Sequence, residues 1–302
     1  MRQVEALRSE LIEEFDFGAV SGAVSGASSG SSLACREETV ASHRRAVERV
    51  IADARERLCE PISLHDMSRV AYLSTFHFNR VFHQITGLPP AKFISAMRLD
   101  EAKRLLLNTN RSITDICFEV GYNSLSTFTR RFNQRVGLGP REFRYLAERI
   151  TPASVESLCA HYTELTERAL LHASVEGFVD SPKPAGGPIP AGGAIFVGLF
   201  LAHIPQSRPV GGALLTSPGA FRIGPVPDGT YYLLAAALPR PADTLGYLLP
   251  DSANLSVGAW NGPVIVRQGK AIGHFNVSLR PMTLTDPPLL ISLPFLLTDT
   301  LK

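Results

Sequence analysis

Cysteine is scarce and scattered. The four residues, Cys35, Cys59, Cys117 and Cys159, contain no C-x-x-C step, so a dithiol redox motif and a thiolate metal site at the usual spacing are both absent, and reduced thiols are expected. Histidine offers no substitute, because His172, His203 and His274 stand alone without ligand spacing. No serine lies in a Gly-x-Ser-x-Gly context, and no phosphate-cradling loop occurs. These absences leave no catalytic constellation, so neither enzymatic activity nor a cofactor is expected. The longest apolar run, around Ala194–Ala202, is too short to span a bilayer. Acidic residues interrupt any apolar region near the N-terminus, so no signal peptide is read there. A cytoplasmic protein without membrane contact is the expectation.

The net charge of +2 over 302 residues conceals an asymmetry. His43–Arg149 holds 18 Lys/Arg against 11 Asp/Glu, whereas Met1–Ser42 holds 3 against 7 and Ile150–Lys302 holds 9 against 10. A basic middle between acidic flanks points to a polyanionic partner for that middle alone.

Composition also divides the chain. Val4, Leu7, Leu11 and Phe15 fall at helical spacing, so 1–17 reads as a short amphipathic helix. The Gly/Ser/Ala tract Gly18–Ser32 makes 18–40 a flexible linker. Residues 41–149 are dense in helix formers, with Ser63 and Ser112 as N-cap candidates and Pro90 and Pro140 suited to first helical turns. Residues 150–171 read as a connecting helix. From 172 to 302 charges thin out while Pro and Gly concentrate, and short β-rich runs alternate with turns: 173–179, 194–201, 220–223, 230–237, 264–267 and 274–279. Trp260-Asn261-Gly262 reads as an ordinary turn with a packed Trp, the alternative being a binding loop.

The helical segment repeats itself. Ser74, Phe78, Arg80, Phe82, Gly87, Pro90 and Phe93 return fifty residues later as Ser124, Phe128, Arg130, Phe132, Gly137, Pro140 and Phe143, and Val70 and Tyr72 return as Val120 and Tyr122. Such a period marks one supersecondary unit used twice. Each copy reads as a short helix, a tight turn and a second helix, the helix-turn-helix arrangement. With Phe78, Val81, Phe82, Phe128 and Phe132 facing inward, the outward faces carry Thr75, Phe76, Asn79 and Arg80, then Leu125, Ser126, Thr127, Thr129, Arg130 and Arg131. Arginine suits guanine, asparagine suits adenine, and methyl groups suit thymine.

These residues resemble a known family. The run Ser74…Phe78-Asn79-Arg80-Val81-Phe82…Gly87…Pro90, followed by Arg98-Leu99-Asp100-Glu101-Ala102 and Ile113-Thr114-Asp115-Ile116…Gly121-Tyr122…Arg130-Arg131-Phe132…Pro140, is similar to the DNA-binding domain of AraC/XylS-type bacterial transcription regulators. The resemblance covers His43–Ala147. It implies two helix-turn-helix subdomains joined by a long helix near Pro90–Leu107, with recognition helices entering successive major-groove segments about 34 Å apart. It implies double-stranded DNA as partner, RNA polymerase as a further one, and base contacts from Phe76, Asn79, Arg80, Leu125, Ser126, Thr127, Thr129 and Arg130. Candidate phosphate contacts are Lys103, Arg104, Arg111, Arg131, Arg135, Arg141 and Arg144. Because Asn79 faces Thr129 and Phe76 faces Ser126 across the repeat, the two units should read different bases, making each monomer's target asymmetric.

The C-terminal half resembles the carboxypeptidase regulatory-like, or transthyretin-like, β-sandwich through Val175-Glu176-Gly177-Phe178-Val179, Pro218–Ile223, Val226–Tyr232 and Phe275-Asn276-Val277. That implies an accessory module binding a small-molecule or protein effector, or mediating self-association. The expected fold is multidomain: an all-α double helix-turn-helix domain followed by a small all-β sandwich. The expected function is sequence-specific transcription regulation, the alternative being a protein-interaction scaffold that binds no DNA.

Overall fold

A computed structural model of the chain describes residues 29–149, 151, 157, 159–160, 173–181, 193–238 and 245–291. The helix expected over 1–17 lies outside these residues. Of the helix expected over 150–171, residues 157, 159 and 160 are described as helical. The chain divides into Met1–Ala41 and Ser42–Lys302. Helix α1 (Ser29–Glu56) begins within the stretch expected as linker. Glycine stops at Gly30, and Leu33-Ala34-Cys35-Arg36-Glu37-Glu38 supplies mostly good helix formers, so 29–40 is helical rather than loose.

Six further helices follow: α2 (Leu64–Ala71), α3 (Thr75–Thr86), α4 (Pro90–Asn108), α5 (Ile113–Glu119), α6 (Leu125–Val136) and α7 (Pro140–Arg149). Their ends obey local chemistry. Ser63 accepts from the Asp66 N–H while Asp66 accepts from the Ser63 N–H, a reciprocal capping box. Ser112 caps α5 through the Asp115 N–H at 3.0 Å. Helices α3 and α6 start on Ser74 and Ser124 and stop on left-handed Gly87 and Gly137.

The repeat is visible as two aromatic ladders. Phe78, Phe82 and Phe93 stack at 5.5 and 5.4 Å between centroids, and Phe128, Phe132 and Phe143 stack at 5.7 and 5.7 Å. Helix α4 joins them, burying Phe93, Met97, Leu99, Ala102 and Leu106 in one core with Val47, Val50 and Ile51 of α1.

The copies diverge at their turns. In the first, the left-handed residue is Tyr72, whose ring stays 85% exposed beneath Arg49. In the second, Gly121 takes that conformation one position earlier, and Tyr122 turns inward against Phe128 with its hydroxyl 3.4 Å from Ser95 Oγ. Only glycine fits there, since a Cβ on Gly121 would lie 2.4 Å from the Leu58 carbonyl.

The remaining residues form β1 (Val175–Asp180), β2 (Ala194–Phe200), β3 (Gly211–Leu215), β4 (Gly219–Ile223), β5 (Gly229–Leu238), a short α8 (Leu245–Leu248), β6 (Ser256–Arg267), β7 (Lys270–Ala271), β8 (Phe275–Ser278) and β9 (Arg280–Pro281). One sheet runs β4-β1-β8, with β1 and β8 parallel; the other runs β3-β2-β5-β6-β7, with β9 beside β6. Val175, Phe221 and Val277 of the first sheet share a buried cluster with Val197, Leu233 and Val264 of the second. The Asp228 carboxylate accepts the Gln268 and Gly269 N–H groups, both at 2.9 Å, pinning the β6–β7 turn.

Strand β3, the two-residue strands β7 and β9 and the 256–263 part of β6 lie outside the expected runs. The opening Gly211-Gly212 of β3 carries no strand signature; a Cβ on Gly212 would sit 2.9 Å from the Val197 carbonyl, so the close pairing requires glycine. Trp260-Asn261-Gly262 is not a turn but part of β6. Pairing runs from Tyr232↔Pro263 to Leu234↔Ala259, so these three residues bulge opposite Leu233 alone.

Candidate nucleic-acid interface

The second helix of each pair is positioned from its buried side. Phe78, Val81 and Phe82 lock α3 into the core, and Phe128, Phe132 and Val136 lock α6. The opposite faces are thereby presented to solvent. Phe76 is 82% exposed, an unusual place for a phenyl ring, and Asn79 and Arg80 lie exposed beside it. On α6, Leu125, Ser126, Thr129 and Arg130 are exposed, while Thr127 is half-buried with its N–H on the Ser124 cap. His83 and Asn133 extend these exposed faces by one turn. Neither is among the residues that the resemblance implies as base contacts, although each stands four residues beyond Asn79 or Thr129 and so on the same helical face.

The cations separate into distinct groups. Arg80, Arg130, Arg131 and Arg141 are exposed and form no ion pair among the described residues. Arg104 pairs with Asp100 at 3.3 Å, and Arg111 pairs with Glu119. The half-buried Arg144 donates to the Leu106 carbonyl at 3.1 Å and the Arg111 carbonyl at 2.8 Å, bracing the end of α4. Burial lowers the Arg135 pKa. Lys103 contradicts the expectation of a phosphate contact. It is fully buried, and its Nζ donates to the Leu289 carbonyl at 2.9 Å. Its position on α4 faces the segment before Ile291 instead of solvent, and burial pushes its pKa down to about 8.

Arg98 is a structural clamp outside the expected set. Its guanidinium donates to the Gly121 carbonyl at 3.0 Å and the Glu60 carbonyl at 2.7 Å, holding the second turn against the end of the first unit's entry loop.

The arrangement agrees with comparisons to known proteins. A family model described as a helix-turn-helix domain matches residues 67–145. The uncharacterized HTH-type transcriptional regulator YbfP of Bacillus subtilis is 33% identical over 115 residues, covering 38% of this chain and 39% of that protein. Residues 67–145 are an AraC-type helix-turn-helix DNA-binding domain. The HTH-type transcriptional activator AarP of Providencia stuartii is 31% identical over 87 residues, covering 29% of this chain and 64% of that one. A crystal structure of a transcriptional regulator described by its AraC-type DNA-binding domain, from Chromobacterium violaceum, is 26% identical over 34% of this chain and 91% of that one, with a TM-score of 0.33. The matches thus cover the AraC-type domain and less than two thirds of the length of YbfP and AarP. Among the described residues no helix is long and apolar enough to cross a membrane, and no group of His, Cys, Asp and Glu is placed to hold a metal ion.

Proposed function

We propose that this chain is a sequence-specific transcription regulator that reads two major-groove segments with α3 and α6. Phe76, Asn79 and Arg80 would contact bases in one segment, and Leu125, Ser126, Thr127, Thr129 and Arg130 in the other. Arg131 and Arg141, exposed and without an ion-pair partner among the described residues, would anchor phosphates, with Arg104 and Arg111 joining them by exchanging carboxylate partners for phosphate. Arg135 and Arg144 would act chiefly by holding the helices. The β region, a sandwich of its two sheets, would bind an effector or partner. The carrying observation is the pair of exposed faces set in one register by two matching aromatic ladders. Because Asn79 and Thr129 occupy equivalent places, the preferred site for one monomer is asymmetric.

Selection from a random DNA pool should yield such a site. Arg80→Ala or Arg130→Ala should then weaken binding by about 1–3 kcal/mol and relax preference at separate base pairs. Unchanged affinity and footprint in both variants would remove α3 and α6 as readers. A binding constant insensitive to salt would favour a scaffold over a DNA reader.

A further inference from the structure

The outer face of the larger sheet is hollow where it meets the AraC-type domain. The register aligns Phe196, Ala236 and Val257 across β2, β5 and β6, with Gly198, Leu234 and Ala259 in the next row. The rings of Phe196 and Phe200 lean together over Gly198, where a Cβ would come within 2.8 Å of both. Ala236 and Ala259, both in the lining, contribute only methyl groups to the floor. The result is a cavity of about 890 Å³, within the range of roughly 300–1,000 Å³ typical of small-molecule sites.

The β6 bulge sits at its rim. Trp260, Asn261 and Gly262, the three residues without their own partners on β5, all line the cavity, and bulges commonly re-aim side chains at binding sites. Trp260 is held in place by an edge contact with Phe275 at 5.4 Å. The Asn261 and Asn276 side chains, both exposed, offer hydrogen bonds at the wall.

Among the described residues the charged groups on the wall pair with one another. Arg280 binds Asp286 through two contacts of 2.7 and 2.6 Å, and Asp286 also accepts the Thr283 N–H. His203 stacks 4.0 Å from Tyr232, and burial together with the nearby His83 lowers its pKa, which favours the neutral ring. An anion or cation entering this mixed lining would meet neutral groups and no unpaired counter-charge among the described residues, so it would give up hydration for weaker contacts.

The far wall belongs to the DNA-reading half. Ile85, Thr86 and Gly87 end the helix that presents Phe76, Asn79 and Arg80. Leu289, also in the wall, holds the Lys103 ammonium of α4. The loop after β2, which contributes His203 and Pro205, reaches the other reader, because the Ser207 N–H donates to the Arg135 carbonyl at 2.6 Å. A molecule seated here touches elements bonded to both α4 and α6.

We infer that this cavity is an effector site for an uncharged, predominantly aromatic small molecule, and that its occupancy shifts DNA affinity. The second half of that statement rests on the proposed DNA-reading function.

Trp260 is the only tryptophan, so the 15N-labelled full chain shows one indole N–H resonance at the cavity wall. Titration with neutral 2-naphthalenemethanol should move it saturably. The 2-naphthoate anion, with the same rings, should bind at least tenfold more weakly. Ala236→Phe fills the floor and should weaken the neutral probe at least tenfold; Ala259→Leu does the same from an exposed strand position, should the first variant fold poorly. No saturable shift, equal binding of both probes, or equal binding by a folded variant overturns the site. With DNA recovered by selection, the probe should change affinity at least about fivefold, the lower end of ordinary coupling. Unchanged DNA affinity overturns the effector role. If the chain binds no DNA while the probe still titrates as described, the regulatory reading fails and the binding site stands.

Discussion

Replacing Lys103 with methionine should make the protein more stable at neutral pH, with a benefit that fades in alkali. Lys103 is fully buried on α4, and among the described residues its ammonium donates to the Leu289 carbonyl alone, at 2.9 Å. Burial drives its pKa from 10.5 to about 8, with Asp100 opposing and Arg104 reinforcing the shift. The folded chain therefore disfavours the ammonium. Below pH 8 both folded and unfolded states carry the proton, and the cost is fully present. Between 8 and 10.5 the unfolded state binds more protons, so the wild type gains stability as pH rises, until the lysine is neutral in both states. A gap of about 2.5 pH decades corresponds to about 3 kcal/mol. Methionine fills similar space without charge. It forfeits the bond to Leu289, a roughly constant offset of about 1 kcal/mol. The mutant-minus-wild-type difference from urea unfolding should thus fall by about 2 kcal/mol between pH 7 and pH 9.5, independent of that offset. A difference that stays flat across this interval would refute the buried, uncompensated ammonium.

The same burial predicts that Lys103→Met leaves the salt dependence of DNA binding unchanged, whereas Arg131→Ala lowers the slope of log K against log salt by about one; equal slopes for the two variants would restore Lys103 as a phosphate contact. Tyr122→Ala should cost about 3 kcal/mol because its ring is packed against Phe128. Tyr72→Ala, its counterpart in the repeat, should cost less than about 1 kcal/mol because its ring is exposed, with the Arg49 guanidinium over it; thermal unfolding of the pair distinguishes them, and equal losses would mean the two turns are equivalent. Gly121→Ala should cost about 2 kcal/mol or more, since its φ of +82° is left-handed and a Cβ would meet the Leu58 carbonyl at 2.4 Å; a variant melting with the wild type would show that the turn can relax.

The helical half was legible because its information is local. Ser63 with Asp66 and Ser112 with Asp115 are caps three residues long, and they form as their spacing requires. The phenylalanines recur at helical intervals, and two ladders follow. The β half was legible where apolar residues alternate, as in β5, and obscure where they do not. Gly211-Gly212 resembles a loop until the neighbouring strand demands close approach. Trp260-Asn261-Gly262 resembles a turn until β5 pairs on either side of it.

Sequence alone determined the repeated helix pair, its inward phenylalanines and therefore the outward residues of α3 and α6, because helical periodicity couples each position to its neighbours within a few residues. It also determined the basic character of the middle segment. Tertiary structure decided the individual fates of those charges. Arg131 remains in water, Arg144 braces a backbone carbonyl, and Lys103 disappears beneath Leu289, a residue 186 positions away. It likewise turned Tyr122 inward while leaving Tyr72 outside. Such outcomes depend on what a distant segment places against the helix, and no local spacing records that.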